Sequence, residues 1–176
     1  MKKVLITGAS GMIGHTMARI LTSAKKYNVI GIGRRELSQN LLFNYIKFED
    51  LTDFATVNRL FLKFQPDILI NCSGLTKHIK INDPVKYIYA NSILPHYLST
   101  NSKIFGSRFI HISTDCVFSG KRGNYDENDI CDATDIYGRT KALGENISND
   151  HLVLRTSTIG HEINTKYGLL EWFLSQ

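Results

Sequence analysis

The sequence predicts an α/β protein built on a doubly wound parallel sheet. Apolar segments alternate with amphipathic ones along the 176 residues, and a repeated strand–helix order places helices on both faces of a parallel sheet. Residues 68–70 (ILI) are apolar throughout, as expected for a strand buried on both faces. A glycine-rich turn directly follows the first apolar run, at the sheet edge where proteins of this class bind ligands.

The glycine-rich turn contains Gly8, Gly11 and Gly14 and precedes a helix expected over residues 15–23. Glycine permits backbone conformations closed to other residues and lets the backbone approach a ligand closely. The N–H groups and the dipole at the start of the helix form an anion site that fits a pyrophosphate. A lone glycine triplet also occurs in plain structural turns, but its place between a strand and a helix favours a Rossmann-like, NAD(P)-binding fold.

The second strand, expected over residues 27–32, indicates which dinucleotide is bound. About 20 residues after the glycines, an acidic side chain selects the ribose hydroxyl of NAD, whereas an arginine accommodates the 2′-phosphate of NADP. Counting from Gly14 reaches Arg34, which Arg35 follows. The sequence therefore favours NADP over NAD and over a solvated basic turn, while Glu36 leaves NAD open.

The remaining elements follow from the same alternation. We expect a loop or short helix over residues 37–45, a third strand over 46–49 and a helix capped by Asp53. Asp83 and Pro84 are a typical helix start, and this next helix is expected over about 85–101 with an interruption at Pro95. Further strands are expected over residues 107–112 and 152–154, a helix from 136 and an apolar helix over 168–176.

Composition excludes several classes of function. The net charge is +5, but the basic residues are scattered and lack the interleaved aromatics of a single-strand nucleic-acid binder. Every apolar run is far shorter than the roughly 20 residues that cross a membrane, and the first is too short for a signal peptide. Three cysteines without a CxxC pair are typical of reduced thiols, so we expect a cytoplasmic protein. The acidic residues between 126 and 132 are interpreted as a solvated loop, and no metal is expected.

Tyr137 and Lys141 lie four residues apart and therefore share one face of a helix. The ordinary pKa of tyrosine is about 10, and an ammonium one turn away should lower that pKa. Tyr137 would then donate a proton to a carbonyl oxygen that is being reduced, Thr114 would hydrogen-bond the same oxygen, and Lys141 would bind ribose hydroxyls. The alternative is that Tyr137 and Lys141 are ordinary residues of a helix surface. The threonine at a strand end and the N-terminal glycine turn argue against this alternative.

Taken together, these motifs resemble the extended short-chain dehydrogenase/reductase family, and within it the dTDP-4-dehydrorhamnose reductase branch. The matching segments are spread over nearly the whole chain: residues 7–14 (TGASGMIG), 50–53 (DLTD), 71–74 (NCSG), 113–120 (STDCVFSG), 125–127 (YDE) and 137–141 (YGRTK) with 144–145 (GE). One departure is Cys116, where that branch usually carries an aromatic residue.

The resemblance implies NADPH as cofactor and Thr114, Tyr137 and Lys141 as the catalytic set. The residues expected to bind the cofactor are Gly8, Ser10, Gly11, Met12, Ile13, Gly14, Arg34, Arg35, Asp50, Leu51, Cys72, Ser73, Gly74, Asn91, Tyr137 and Lys141. In this set the glycine turn holds the pyrophosphate, Asp50 and Leu51 lie near the adenine, and Asn91 supports the lysine side.

The implied reaction is the reduction of the 4-keto group of a nucleotide-linked deoxy sugar, in the synthesis of cell-surface polysaccharide precursors. Two alternatives remain: a non-catalytic dinucleotide-binding subunit, such as the regulatory subunit of methionine adenosyltransferase, and an epimerase or dehydratase acting on a sugar nucleotide. Either enzyme would have a small-molecule nucleotide sugar as its partner.

The family also implies roughly a hundred further residues that build the sugar-binding part. We therefore assign residues 1–160 to an NAD(P)-binding Rossmann domain and residues 161–176 to the start of the substrate-binding region. The chain is expected to be a fragment that lacks most of the C-terminal substrate domain, binds NADPH and turns over weakly or not at all. Exposed Trp172 and Phe173 leave open self-association, for example as a homodimer.

Overall fold

The computed structural model describes residues 1–37, 41–48, 50–51, 53–77, 83–163 and 168–176. Its strands are Lys2–Thr7 (β1), Tyr27–Gly33 (β2), Asn44–Lys47 (β3), Ile68–Asn71 (β4), Arg108–Ile112 (β5) and Leu152–Leu154 (β6). They form one sheet in the order β3-β2-β1-β4-β5-β6, and every pair is parallel. This order reverses direction between β1 and β4, which confirms the predicted doubly wound fold.

The helices cover both faces of the sheet. They are Met12–Ser23 (α1), Phe54–Phe64 (α2), Pro84–Ile88 (α3), Leu94–Ile104 (α4), Ile136–Gly144 (α5) and Leu169–Leu174 (α6), with a π-helical turn at Tyr89–Ile93 and a 3₁₀ turn at Asp115–Val117. Asp53 caps α2 by accepting the Thr56 N–H at 2.7 Å, and Asp83 caps α3 through the Val85 N–H. Both caps were predicted from the sequence.

The structure differs from the sequence prediction at the start of α1, at β3 and near Pro95. Helix α1 begins at Met12 rather than at residue 15, because Gly11 in extended conformation already serves as its N-cap. Strand β3 lies at Asn44–Lys47 rather than at residues 46–49. The expected interruption at Pro95 is absent: the backbone stays helical from α3 through a π-helical turn into α4, and Ile93 and Leu94 just before Pro95 have right-handed helical φ and ψ.

The core consists of two apolar clusters, one on each face of the sheet. Alternate residues of β1 divide between them, since Leu5 packs on the α2 and α4 side whereas Val4 and Ile6 pack on the α1 side. The predicted apolar face of α2 is confirmed by its buried residues Val57, Leu60, Phe61 and Phe64. Among the helices of the described residues, none combines the length and the apolar character that a bilayer-spanning segment needs.

The last helix, α6, leaves most of its apolar side chains exposed. Leu169, Trp172, Phe173 and Leu174 are between 58% and 67% exposed, as predicted for this segment. Some expectations lie partly outside the described residues: residues 38–40 of the expected loop, Glu49 at the end of the expected third strand, Thr52 of the 50–53 motif, and residues 164–167 of the C-terminal region.

Candidate active site

The glycine turn after β1 is packed directly against the end of β4. Gly8 has φ +70°, and a Cβ placed there would lie 2.7 Å from the carbonyl carbon and oxygen of Cys72. A Cβ on Gly14 would lie 2.5 Å from the Gly8 carbonyl oxygen. A Cβ on Gly11 would lie 3.3 Å from the same oxygen, and the Gly11 N–H donates to that oxygen at 2.9 Å. The turn therefore requires glycine at positions 8 and 14 and is less crowded at position 11.

The N-terminus of α1 is left open toward solvent. Gly11 makes no side-chain cap and the first turn contains no acidic residue, so its positive end is not neutralised by a carboxylate of α1 itself. Gly11 is exposed, whereas Met12 and Ile13 are partly buried. The backbone N–H groups and the crowded glycines form a cradle that fits a pyrophosphate.

Two further parts of the chain border this cradle. Ser10 lies beside the end of β2, because a Cβ on Gly33 would be 2.8 Å from its hydroxyl oxygen. The segment after β6 reaches the start of α1, since a Cβ on Gly160 would lie 3.2 Å from the Met12 sulfur. The sequence did not indicate that residues near 160 reach the glycine turn.

The residues expected at the adenosine end lie next to one another after β2 and β3. The Arg34 Nη1 donates to Asp50 Oδ2 at 3.0 Å, and both side chains are exposed. The Arg35 carbonyl oxygen accepts from the Tyr45 hydroxyl at 2.6 Å, which holds the backbone at this point. Leu51 is partly buried against the core. An exposed ion pair of this kind contributes little stability, so Arg34 can exchange its partner for a ligand phosphate.

The end of β4 is lined by Cys72, Ser73 and Gly74. Burial raises the pKa of the Cys72 thiol to about 12, so this sulfur is neutral and a poor nucleophile. The Ser73 N–H donates to Asn71 Oδ1 at 3.0 Å, which fixes the direction of the chain as it leaves the strand.

Asn91 is fully buried in the π-helical turn and holds the loop after β4. Its Oδ1 accepts the Leu75 N–H at 2.8 Å, and its Nδ2 donates to the Leu75 carbonyl at 3.0 Å and to the Thr140 hydroxyl at 3.3 Å. A Cβ on Gly144 would overlap the Asn91 carbonyl oxygen. The amide thus ties the β4 loop to α5, which is a positioning contribution to the lysine side of the site.

Thr114 and Tyr137 meet at the end of β5. The Thr114 hydroxyl accepts the Cys116 N–H at 3.2 Å at the start of the 3₁₀ turn and donates to Asp115 Oδ1 at 3.2 Å. It also lies close enough to the Tyr137 hydroxyl to lower the pKa of that group. Gly138 makes this approach feasible, because a Cβ there would overlap the Cys116 carbonyl oxygen. The predicted threonine–tyrosine pair is therefore brought together by close packing of α5 on the 3₁₀ turn.

The electrostatics of Tyr137 differ from the expectation. Burial raises the pKa of Tyr137, the nearby Thr114 hydroxyl lowers it by less, and Cys116, Asp115 and Asp135 raise it further. Lys141, whose Nζ is turned toward the Ile112 carbonyl, is not among the five largest influences on this pKa. The expectation of a lowered Tyr137 pKa is wrong for this structure, because the burial of the phenol raises the pKa instead.

Lys141 is only 5% exposed. Its Nζ donates to the Ile112 carbonyl at 2.8 Å and lies 3.4 Å from His111 Nε2. Burial lowers the pKa of Lys141 to about 8, which Glu145 and Cys72 raise by smaller amounts. The ammonium and the neutral amine are therefore both populated in weakly alkaline solution.

Sequence reasoning missed two parts of this region. His111 is fully buried beside Lys141, and the available signal was a histidine inside an otherwise apolar strand. The second is an ion pair in which Arg155 Nη2 donates to Glu145 Oε2 at 2.9 Å. Arg155 also stacks on Phe118 with its Cζ 4.9 Å from the ring centroid and donates to the Glu127 carbonyl, so it anchors the loop between β5 and α5. In the described part of the chain, no group of three metal-ligating side chains occurs.

A comparison with known protein families gives a match over almost the whole chain: the family model described as RmlD substrate binding domain covers residues 1–168. The spore coat polysaccharide biosynthesis protein SpsK of Bacillus subtilis (strain 168) is 34% identical over 168 residues, which are 92% of this chain and 55% of that protein. The dTDP-4-dehydrorhamnose reductase of Aggregatibacter actinomycetemcomitans is 31% identical over 163 residues, which are 89% of this chain and 51% of the reductase.

Among solved structures, the dTDP-4-dehydrorhamnose reductase of Bacillus anthracis str. Ames in complex with NADP superimposes with a TM-score of 0.72 at 26% identity. That match covers 88% of this chain and 52% of the reductase. The chain thus spans about half the length of the relatives that it matches.

Proposed function

Because the chain belongs to the RmlD substrate-binding domain family, we propose that it carries the cofactor site and the catalytic side chains of an NADPH-dependent sugar-nucleotide reductase. The substrate class is a nucleotide-linked deoxy sugar with a 4-keto group. One observation carries the proposal: the glycine turn after β1 and the Thr114–Tyr137 pair after β5 lie at the same carboxyl edge of the sheet, with only β4 between their strands. The name of the Bacillus subtilis relative suggests a role in polysaccharide precursor synthesis.

The residues at this edge fit an NADP molecule. The pyrophosphate would bind the α1 N-terminus above Gly8 and Gly14, where a side chain has no room. Arg34 and Arg35 would receive the 2′-phosphate, since guanidinium groups match phosphate oxygens geometrically. The NADP bound to the Bacillus anthracis relative supports this choice of cofactor.

In the proposed reaction, Tyr137 is the proton donor. Bound NADPH would supply the hydride that reduces the carbonyl carbon. Because burial raises the pKa of Tyr137, its hydroxyl is protonated at neutral pH and can donate to the carbonyl oxygen as negative charge develops there. The Thr114 hydroxyl, which lies near the Tyr137 hydroxyl, would exchange its hydrogen bond to Asp115 for one to the same oxygen.

Lys141 supplies the positive charge of this site. Its Nζ lies beside the Ile112 carbonyl at the carboxyl end of β5, and in the proposal it would reach ribose hydroxyls of the bound cofactor from there. With a pKa of about 8, it is mostly an ammonium at neutral pH and attracts the anionic cofactor.

Isothermal titration calorimetry with NADPH and NADH tests the cofactor part of the proposal. We expect NADPH to bind at least about tenfold more tightly than NADH, because charge-assisted hydrogen bonds contribute roughly 1.5–3 kcal/mol. The Arg34→Ala/Arg35→Ala variant should lose this preference while keeping its NADH affinity. A folded chain that binds neither nucleotide would contradict the proposal.

A second experiment separates the reductase from a dinucleotide-binding subunit without catalysis. Retention of Thr114, Tyr137 and Lys141 favours the enzyme, since a binding module needs no proton donor. NADPH oxidation in the presence of a 4-keto sugar nucleotide is expected to be weak in this chain, and whatever rate it sustains should fall to background in Tyr137→Phe, with NADPH affinity retained. Equal turnover in wild type and Tyr137→Phe would support the binding module.

A further inference from the structure

A row of fully buried polar side chains runs beneath the candidate active site. Thr7, Asn71 and His111 occupy adjacent register positions on β1, β4 and β5, and all three are at most 1% exposed. The Thr7 hydroxyl donates to Asn71 Oδ1 at 2.7 Å, and Asn71 Nδ2 lies 3.1 Å from His111 Nδ1. His111 Nε2 in turn lies 3.4 Å from Lys141 Nζ. The row thus connects the strand of the glycine turn with the candidate catalytic lysine.

The hydrogen bonds in this row determine the protonation of the imidazole. The Ser73 backbone N–H can only donate, so the amide atom that it meets at 3.0 Å is the Asn71 oxygen. The Asn71 NH₂ group therefore faces His111 Nδ1 and must donate to it. A neutral imidazole that accepts at Nδ1 carries its proton on Nε2.

We propose that His111 is a positioning residue for Lys141, because the Thr7–Asn71 pair fixes its ring so that an N–H, rather than a lone pair, faces the lysine amine. This inference rests on the proposed function only in giving Lys141 a role in the site. An ammonium has three donors and no acceptor, so it gains no hydrogen bond from a ring N–H. A neutral amine can accept that N–H, and His111 therefore opposes the charge on Lys141 and favours its release of a proton.

The other titratable groups near the pair do not reverse this effect. Cys72 at the end of β4 and Glu145 on α5 both favour the charged lysine, but burial outweighs them. His111 itself stays neutral, since burial, Lys141 and then His96 of α4 hold its pKa well below the ordinary value. The remaining strong partner of the ammonium is the Ile112 carbonyl at 2.8 Å.

The first test is the tautomer of His111 in the wild-type chain, read by ¹⁵N NMR of histidine-labelled protein. The His111 signals are assigned by their absence from the His111→Gln variant. We expect Nδ1 to give an unprotonated signal and Nε2 a protonated one between pH 6 and pH 9. A proton on Nδ1, or an imidazolium at pH 7, would overturn the proposal. This measurement needs no nucleotide, so its outcome is independent of whether NADPH binds.

The second test reverses the tautomer with Asn71→Asp. A carboxylate accepts only, so it would draw the imidazole proton to Nδ1 and leave a lone pair on Nε2 facing Lys141. The Lys141 amine titration, followed by NMR of labelled lysine, should move upward by at least about one pH unit. In the Asn71→Asp/His111→Phe double variant, the carboxylate charge remains but the ring is gone, and the upward shift should be clearly smaller.

An equal shift in the single and double variants would show that the carboxylate charge alone acts on Lys141, and would overturn the role of the ring. If the buried carboxylate prevents folding, the wild-type tautomer decides the proposal. A purely structural role for His111 predicts loss of stability in its variants with no displacement of the Lys141 titration.

Discussion

Replacing Lys141 with methionine should stabilise the folded chain near neutral pH, although it removes a candidate catalytic group. Burial lowers the pKa of Lys141 from 10.5 to about 8, a difference equivalent to roughly 3 kcal/mol in favour of unfolding when the lysine is charged. Methionine keeps an unbranched side chain without that charge. The substitution also removes the hydrogen bond to the Ile112 carbonyl, which costs about 1–2 kcal/mol. The net gain at pH 7 is therefore about 1–2 kcal/mol.

The pH dependence of this gain is the sharper part of the prediction. Between pH 8 and pH 10.5 the unfolded chain binds more protons at Lys141 than the folded chain, so the stability of the wild type rises with pH in this window. Methionine does not titrate. The advantage of Lys141→Met should therefore shrink by about 2 kcal/mol between pH 7 and pH 9.5 and disappear or reverse.

Urea denaturation followed by circular dichroism at pH 7 and pH 9.5 measures both quantities. The matched control is Lys103→Met on α4, whose side chain is 69% exposed, and it should change the free energy of unfolding by no more than about 0.5 kcal/mol at either pH. If the free energies of unfolding of Lys141→Met and the wild type differ by the same amount at both pH values, the inference that the buried ammonium destabilises the fold is refuted.

Three other predictions concern the glycine turn, the loop anchor and the partly buried Cys72 thiol. Gly8→Ala combines a left-handed backbone with a Cβ 2.7 Å from the Cys72 carbonyl, so it should lower the free energy of unfolding, measured by urea denaturation, by more than about 2 kcal/mol. The control Gly123→Ala has φ +72° but open space around the Cβ and should lower it by only about 1–2 kcal/mol. Equal losses of stability would show that the close contact at Gly8 is unimportant. Glu145→Gln leaves the partly buried Arg155 without its carboxylate and should destabilise the folded chain by about 2–3 kcal/mol. The control Glu36→Gln breaks an exposed ion pair with Lys47 and should change the free energy of unfolding by less than about 1 kcal/mol. Similar effects of the two variants would contradict the anchoring role of Arg155. Cys72, with a pKa of about 12, should remain unmodified when the folded chain is treated with iodoacetamide at pH 8 and analysed by mass spectrometry, and its rapid alkylation would be inconsistent with this burial.

Much of this fold could be predicted because its signals are local. The cap residues Asp53 and Asp83, the apolar face of α2 and the buried run of β4 each depend on a few neighbouring residues, and the structure has them as expected. The early start of α1 has a local reason as well, because the extended Gly11 leaves Met12 free to begin the helix.

The remaining features depend on contacts between segments that are far apart in the sequence. The π-helical turn at Tyr89–Ile93 places Asn91 against both the β4 loop and α5. Pro95 signalled an irregularity in this helix, but neither its π-helical form nor the contacts of Asn91 could be predicted from it. The direction of Lys141 likewise depends on His111 and on the Ile112 carbonyl. Helical spacing predicted that Lys141 lies next to Tyr137 but carried no information on how deeply the phenol is buried, and this burial is why the pKa of Tyr137 is raised rather than lowered.

The most direct test of the proposed cofactor site is a crystal structure of this chain with NADPH. We predict the pyrophosphate at the N-terminus of α1 beside Gly11 and Met12, the 2′-phosphate on Arg34 or Arg35, and the nicotinamide within contact distance of Tyr137. A nucleotide bound elsewhere, or a nicotinamide ring far from the Tyr137 hydroxyl, would contradict the account.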